Sequence, residues 1–361
     1  MKKILFVAQN LQIGGVQRAL VNLLDTLSPE DDVCLFLFGD GPLKSELPQH
    51  IKVTCGKGFL RLAATPFREI LRTGKPVDIL LRCMLMILVR LIGSEKLYAL
   101  LFKSYLQDVE FDIAVSYFTD VPNNYFNQGT TQYVSDCVRA KEKIAWIHTD
   151  PILSNFDRDV CLFRFRNMDR IVCVSEAVRQ KTELMLPEYA GKLVVFHNCF
   201  DLNRICALAK AYVAPYSNDV FNIVTVGRID NCSKRINEIL QICARLKTEQ
   251  IGGFHWYIVG DGPDLAKNRE LADKLSVNDV LTFCGVENNP YPYIQNADLF
   301  ALYSAYEGFP MVVGEAQALG TYILTTNYAA AREQISREQG HISENDEDFY
   351  QNLKRLIQCQ N

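Results

Sequence analysis

Several things are scarce in this chain of 361 residues, and each scarcity removes a class of function. Its twelve cysteines never stand closer than seven positions apart, so there is no C-x-x-C pair and no zinc-ligand spacing. The thiols therefore read as reduced and buried. A net charge of −4 supplies no global cationic field, so no nucleic-acid partner is expected and any anion must be held by local groups. The apolar run CMLMILV at 83–89, bounded by Arg82 and Arg90, is too short to cross a bilayer. The opening MKKILFVAQN has too few apolar residues for a secretory signal and reads as a first strand. A cytoplasmic location follows as the expectation, with room for peripheral attachment to the inner face of the cell membrane. No segment completes the dinucleotide fingerprint G-x-G-x-x-G, neither GGVQRAL at 14–20 nor GDGPDL at 260–265. The D-x-D matches, DRD at 157–159 and DED at 346–348, read as solvated charge, so neither a metal nor a cofactor is expected.

What is present is apolar and ordered. With 48% hydrophobic and 22% charged residues the chain has material for two cores, and its length favours two domains. KKILFVAQNLQIGGVQRALVNLLDTL at 2–27 and FNIVTVGRIDNCSKRINEILQICARL at 221–246 share one plan of strand, polar loop and amphipathic helix. Nearly continuous apolar runs follow each start: FDIAVSY, KIAWIH, RIVCVS and KLVVFHN after the first, FHWYIVG, VLTFCG, DLFALYS and YILTT after the second. Such runs alternating with helical patterns indicate α/β architecture, two doubly wound Rossmann-like domains of parallel strands facing across a cleft. The expected division is 1–205, 206–345 and a terminal helix at 346–361 packing back toward the first domain. Ligands of such folds sit where strands end and helices begin.

Those loops hold the informative residues. Arg228 and Lys234 follow the strand IVTV and suit a diphosphate, with Arg235 competing for the second position. For this pair alone a solvated basic loop serves equally well. EGFPMVVGEA at 307–316 places Glu307 on a loop broken by Gly308 and Pro310 and Glu315 on the following helix, with seven residues between. Carboxylates beside an anion-binding helix start are unfavourable unless they accept hydrogen bonds from sugar hydroxyls. One glutamate for each of two sugars, ribose and hexose, answers that pattern; two surface glutamates at an ordinary helix start is the alternative. Gly14 and Gly15 let backbone amides approach a ligand or simply make a tight turn. His148 ends the strand KIAWIH, where it can meet substrate hydroxyls or bond to the turn that follows.

GGVQRAL, WIHTD, VSEAVRQ, VFHNCFD, VGRID with the later SK, YIVGDGPD and above all EGFPMVVGEA resemble, in order and along nearly the whole chain, the family 4 (group 1) retaining glycosyltransferases of GT-B fold. The resemblance implies an acceptor-binding first domain and a nucleotide-sugar-binding second domain. It implies that Arg228 and Lys234 hold the donor diphosphate, Glu315 the ribose, and Glu307 with Phe309, Pro310 and Met311 the donor sugar. Gly14, Gly15 and His148 would close the site from the first domain, and 282–290 would meet the base. A hexose, most often from a UDP-sugar, would pass with retention to a glycan or polyprenyl-linked acceptor of cell-envelope polysaccharide. The leaving diphosphate would take the acceptor proton, without metal or protein nucleophile. A nucleotide-sugar epimerase and a non-catalytic scaffold subunit are the competing readings. Finally, 57–103 holds nine Lys or Arg against three acids among long apolar side chains, which suits an anionic membrane surface approached through Arg82 and Arg90, or a core-packed helical hairpin with a wet face.

Overall fold

The structure is a computed structural model and describes residues 1–73, 75–106, 109–120 and 129–359. The chain divides into two compact units, Met1–Cys199 and Phe200–Asn361. The first is built on a sheet of seven strands: β1 (Lys3–Ala8), β2 (Asp32–Leu37), β3 (Lys52–Cys55), β4 (Glu110–Ser116), β5 (Arg139–Ile147), β6 (Arg170–Cys173) and β7 (Leu193–Val195). They lie in the order 3-2-1-4-5-6-7, all parallel, with Ile4 opposite Val33 on one side and Ile113 on the other. The second unit repeats the plan with six strands: β8 (Phe221–Val226), β9 (Phe254–Val259), β10 (Leu281–Gly285), β11 (Leu299–Leu302), β12 (Ile323–Thr326) and β13 (Gly340–Ser343). Their order is 10-9-8-11-12-13. In each sheet the winding reverses beside the unit's first strand, between β1 and β4 and between β8 and β11. Loops leaving such a pair diverge and open a crevice at the carboxyl ends.

The side-chain period of two explains the unbroken apolar runs. In the second unit Ile223, Trp256, Ile258, Leu299 and Leu324 enter one core layer. Their neighbours Val224, Tyr257, Val259, Phe300 and Ile323 enter the layer on the other face. A central strand covered on both sides has no polar face to show.

Two boundaries differ from those expected. The break falls at Cys199/Phe200 rather than 205/206, because Ile205, Ala209 and Ala214 are buried in the second unit's core and Phe200 packs against it. The terminal helix, Asp346–Gln358, belongs to the second unit: Phe349, Tyr350, Leu353 and Ile357 join the layer of Ile223 and Trp256. Residues 360–361 of the expected terminal segment lie outside the described residues. The twelve thiols are all free, yet only Cys161, Cys173 and Cys243 are buried.

Candidate functional site: the strand-end loops

At the second unit's switch point the loop after β8 is held by its neighbours. Gly227 N donates to Val259 O at 2.9 Å and Ile229 N to Asp261 O at 3.0 Å. The loop after β9 lies backbone against backbone on it, which only glycine permits. A Cβ on Gly260 would sit 1.9 Å from Gly227 O, and one on Gly262 would sit 2.0 Å from Ile229 O. Thus GDGPDL, which fails as a phosphate fingerprint, is a spacer that fixes the Arg228 loop. Asn231 completes the brace, its amide facing that of the buried Asn268 at 2.9 and 3.2 Å and its Oδ1 accepting from Asn237 N at 3.1 Å.

The turn then separates two cations. Asp230 Oδ1 accepts from Cys232 N at 3.0 Å and Asp230 O from Lys234 N at 2.8 Å. Arg235 takes a left-handed conformation (φ 49°) and points to Asp346 at 2.7 Å, to Glu238 at 2.6 Å and over the Tyr303 ring. Lys234 instead forms an ion pair with Glu307, both side chains 15% exposed. The two loops of the switch point are therefore joined by two of the residues singled out from the sequence, and Arg235 is engaged elsewhere. Arg228 stays open, 70% exposed, with Asp230 Oδ2 4.0 Å from its Nε.

The loop after β11 is pinned from both ends. Ala305 N donates to Ser233 O at 2.8 Å, Thr326 Oγ1 to Ser304 O at 2.6 Å, and Ser304 Oγ to Glu307 Oε1 at 2.6 Å. Glu307 thus accepts from a cation and a hydroxyl in a mostly dry place. Pro310 caps the Met311–Ala318 helix, and its carbonyl accepts from Gln334 Nε2 at 3.0 Å. Glu315, 5% exposed, accepts from Tyr291 Oη at 3.3 Å. Phe309 packs against the core and Met311 is buried, so what this stretch can offer a ligand is mainly backbone. Gly314 makes room for Phe200, whose Cζ would be 2.2 Å from a Cβ there.

The first unit's loops after β1 and β5 are arranged largely by neutral groups, with an ion pair to a buried carboxylate, Asp150 with Lys181. Gly14 precedes the Gly15–Asp25 helix in extended conformation, and a Cβ on it would meet only the movable Gln17 Oε1, at 2.6 Å. Asn10 ties this loop down by donating to Ala64 O at 2.9 Å, and Gly41 is required because a Cβ would lie 2.1 Å from the Leu11 carbonyl carbon. His148 follows β5. Its Nε2 donates to Tyr117 O at 2.7 Å and its backbone N to Thr119 Oγ1 at 2.9 Å. Burial pushes its pKa down to about 4, against the opposing pull of the Tyr117 carbonyl, so the ring is neutral at pH 7. With the proton on Nε2, Nδ1 is a buried acceptor without a donor among the described residues. The turn beyond is fixed by fully buried Asp150, which accepts from Ile152 N and Leu153 N at 3.0 Å each and from Lys181.

Asn231, Asn268, Ser304, Asp150 and Gly41 are the supporting residues that sequence reasoning missed. Only the glycine spacing of GDGPDL carried a visible signal, and it was read for phosphate rather than packing. The D-x-D matches are also explained: Asp157 caps a helix by accepting from Val160 N at 3.0 Å, while Asp346 pairs with Arg235 and Asp348 accepts from Glu344 N at 2.9 Å. No group of three metal-binding side chains occurs among the described residues. A cavity of about 650 Å³ opens at the amino ends of β1, β4, β5 and β6, away from the loops, where its charges pair with one another, Lys141 with Asp112 and Arg170 with Glu142.

Two parallel sheets of this order, seven strands and six with flanking helices, match the GT-B architecture. Residues 214–361 match the family described as glycosyl transferases group 1. The chain is 24% identical, over 99% of its length and 91% of the relative's, to the N-acetylgalactosamine-N,N'-diacetylbacillosaminyl-diphospho-undecaprenol 4-alpha-N-acetylgalactosaminyltransferase of Campylobacter jejuni. Among solved structures, Anabaena HepE in complex with UDP and glucose superposes with a TM-score of 0.68 at 17% identity, covering 99% of this chain and 89% of that one. S. aureus TarM, solved with UDP, gives 0.69 at 11% identity, covering 99% and 93%. The family match over the second unit and the full-length relative together support a glycosyltransferase of the group 1 (family 4) kind, with a part in glycan synthesis.

Proposed function

We propose that the chain transfers a hexose, with retention and without a metal, from a UDP-sugar to a glycan or lipid-linked acceptor of cell-envelope polysaccharide. The observation that carries this is the Lys234–Glu307 pair joining the β8 and β11 loops, with Arg228 exposed beside it. Arg228 and Lys234 offer two cations to a diphosphate; Glu307 and Glu315 offer acceptors to hexose and ribose hydroxyls; the start of the Met311–Ala318 helix adds its dipole. UDP is favoured because HepE and TarM were solved with it, and a lipid-linked acceptor because the Campylobacter relative is named for a diphospho-undecaprenol-linked saccharide. In the first unit the Gly14–Gly15 turn offers backbone amides, and His148 Nδ1 offers a neutral acceptor for a sugar hydroxyl.

Charge grows on the diphosphate as the sugar–oxygen bond breaks, and Lys234 and Arg228 are the groups placed to stabilise it. A donor arriving at Lys234 competes with Glu307, which can turn to a hydroxyl while keeping Ser304. The acceptor proton then passes to the departing phosphate oxygen. The test is proton NMR of the product formed from UDP-hexoses in the presence of EDTA. An axial anomeric linkage, the donor's own, is expected at undiminished rate; an inverted linkage or complete loss in chelator would overturn the proposal.

A further inference from the structure

The Pro76–Ile92 helix shows the wrong side to solvent. Its inner face is ordinary: Leu85 and Val89 are buried, and so is Arg82, which donates to Ala63 O at 2.7 Å. Its outer face carries Val77, Leu80, Met84, Ile87 and Leu91, which are 66%, 70%, 40%, 59% and 74% exposed. Intervals of three and four residues align these five in one stripe about 21 Å long. The helix has three charged residues, Asp78, Arg82 and Arg90; Asp78 bonds to Arg61 at 3.0 Å, Arg82 faces inward and Arg90 lies exposed at the edge, so the stripe itself carries none. The reading from sequence, in which Arg82 and Arg90 together approach an anionic surface, is corrected for Arg82: a guanidinium needed by the Ala63 carbonyl is not available outside.

A continuous exposed aliphatic stripe on a folded domain marks something that covers it. Within 75–96 the exposed charged groups are Lys75, Arg90 and Lys96 against Glu95. A second copy related by a two-fold axis would bring these cations against their own kind. A lipid surface with anionic headgroups neutralises them while taking up the aliphatic side chains. Among the described residues no helix is long and apolar enough to cross a membrane, so this one would lie along the interface. We infer that the outer face of the Pro76–Ile92 helix inserts into an anionic bilayer, its aliphatic stripe providing the attachment and its cationic rim the preference for anionic lipid. The inference rests on the membrane-linked acceptor proposed above, and deepens it by naming the attaching face.

The test uses the full chain with phosphatidylglycerol-containing and with neutral phosphatidylcholine vesicles, at low and high salt, and reads the fraction that sediments. Wild type should bind both, more strongly to the anionic vesicles, and retain part of that binding at high salt. Leu80→Gln with Ile87→Gln should lower partitioning at least about tenfold on both compositions. Lys75→Gln with Arg90→Gln should lower it only on the anionic vesicles and flatten the salt dependence. Equal binding by wild type and the Leu80/Ile87 variant would overturn the inference. So would a wild type that binds no vesicle but sediments as a dimer that this variant converts to monomer. Both aliphatic positions are exposed, so melting temperature should not move, and nucleotide titration of the same variant should match wild type. A failed donor site would show in the titration and not in the vesicles.

Discussion

The strand-end loops of the two units solve similar placement problems with different chemistry. After β8 and β11 the loops are joined by an ion pair, Lys234 with Glu307, and braced by close backbone contact at Gly260 and Gly262. After β1 and β5 the contacts are amides, a backbone carbonyl and a neutral histidine. Charge in the second unit suits a ligand that brings its own charge; neutral acceptors in the first suit hydroxyls. The first unit's most buried charge near its loops, Asp150, is consumed by its own turn and by Lys181. This contrast teaches which residues can be exchanged without losing the site.

The largest effect should come from Lys234→Ala. In the proposed site it removes a cation from the leaving group and leaves Glu307 without its ion pair, so kcat/KM should fall about a hundred- to a thousandfold, equivalent to roughly 3–4 kcal/mol. Steady-state rates at several donor concentrations would show whether the loss lies in kcat. Gly260→Ala should follow, as a stability effect. At φ 146° with a carbonyl oxygen 1.9 Å from the new Cβ, the β9 loop must lift off the Arg228 loop, at about 3 kcal/mol or more, seen as a lower melting temperature of the second unit.

His148 gives an intermediate effect that belongs to the first unit. Its folded pKa, about 4, lies below the ordinary value of 6.5, so the unfolded chain takes the proton first as pH falls. Its contribution is complete above pH 6.5 and is lost as pH drops toward 4, by roughly 1–3 kcal/mol. Urea melts across that range should lose this slope in His148→Asn. The smallest effect should be that of Gly14→Ala. The backbone is extended there and only Gln17 must turn aside, so stability should change by less than about 1 kcal/mol. A fall in donor affinity with an unmoved melting temperature would then mark the amides as ligand contacts.

The central strands were legible because burial on both faces leaves them unbroken apolar sequence, as in FNIVTV and FHWYIV. Edge strands such as β3, KVTC, and β13, GHIS, carry too little apolar character to announce themselves. Lys234 and Glu307 were legible because loops after strands that also carry opposite charges are few. Their pairing was not, since it depends on the Asp230 turn and on Ala305 bonding Ser233, both tertiary facts. Arg82 illustrates the opposite failure. Its neighbours LLRCMLMILVR look amphipathic and basic, but nothing in the sequence says that the arginine turns inward to a carbonyl nineteen residues away while Leu80 and Ile87 turn outward.

The most direct measurement is calorimetric titration of UDP into wild type, Lys234→Ala and Arg235→Ala, with melting curves for all three. The donor site at the β8/β11 switch point requires tight binding by wild type, at least about tenfold weaker binding by Lys234→Ala, and near-normal binding by Arg235→Ala as long as it remains folded. Undiminished affinity in folded Lys234→Ala, or a loss confined to Arg235→Ala, would contradict it.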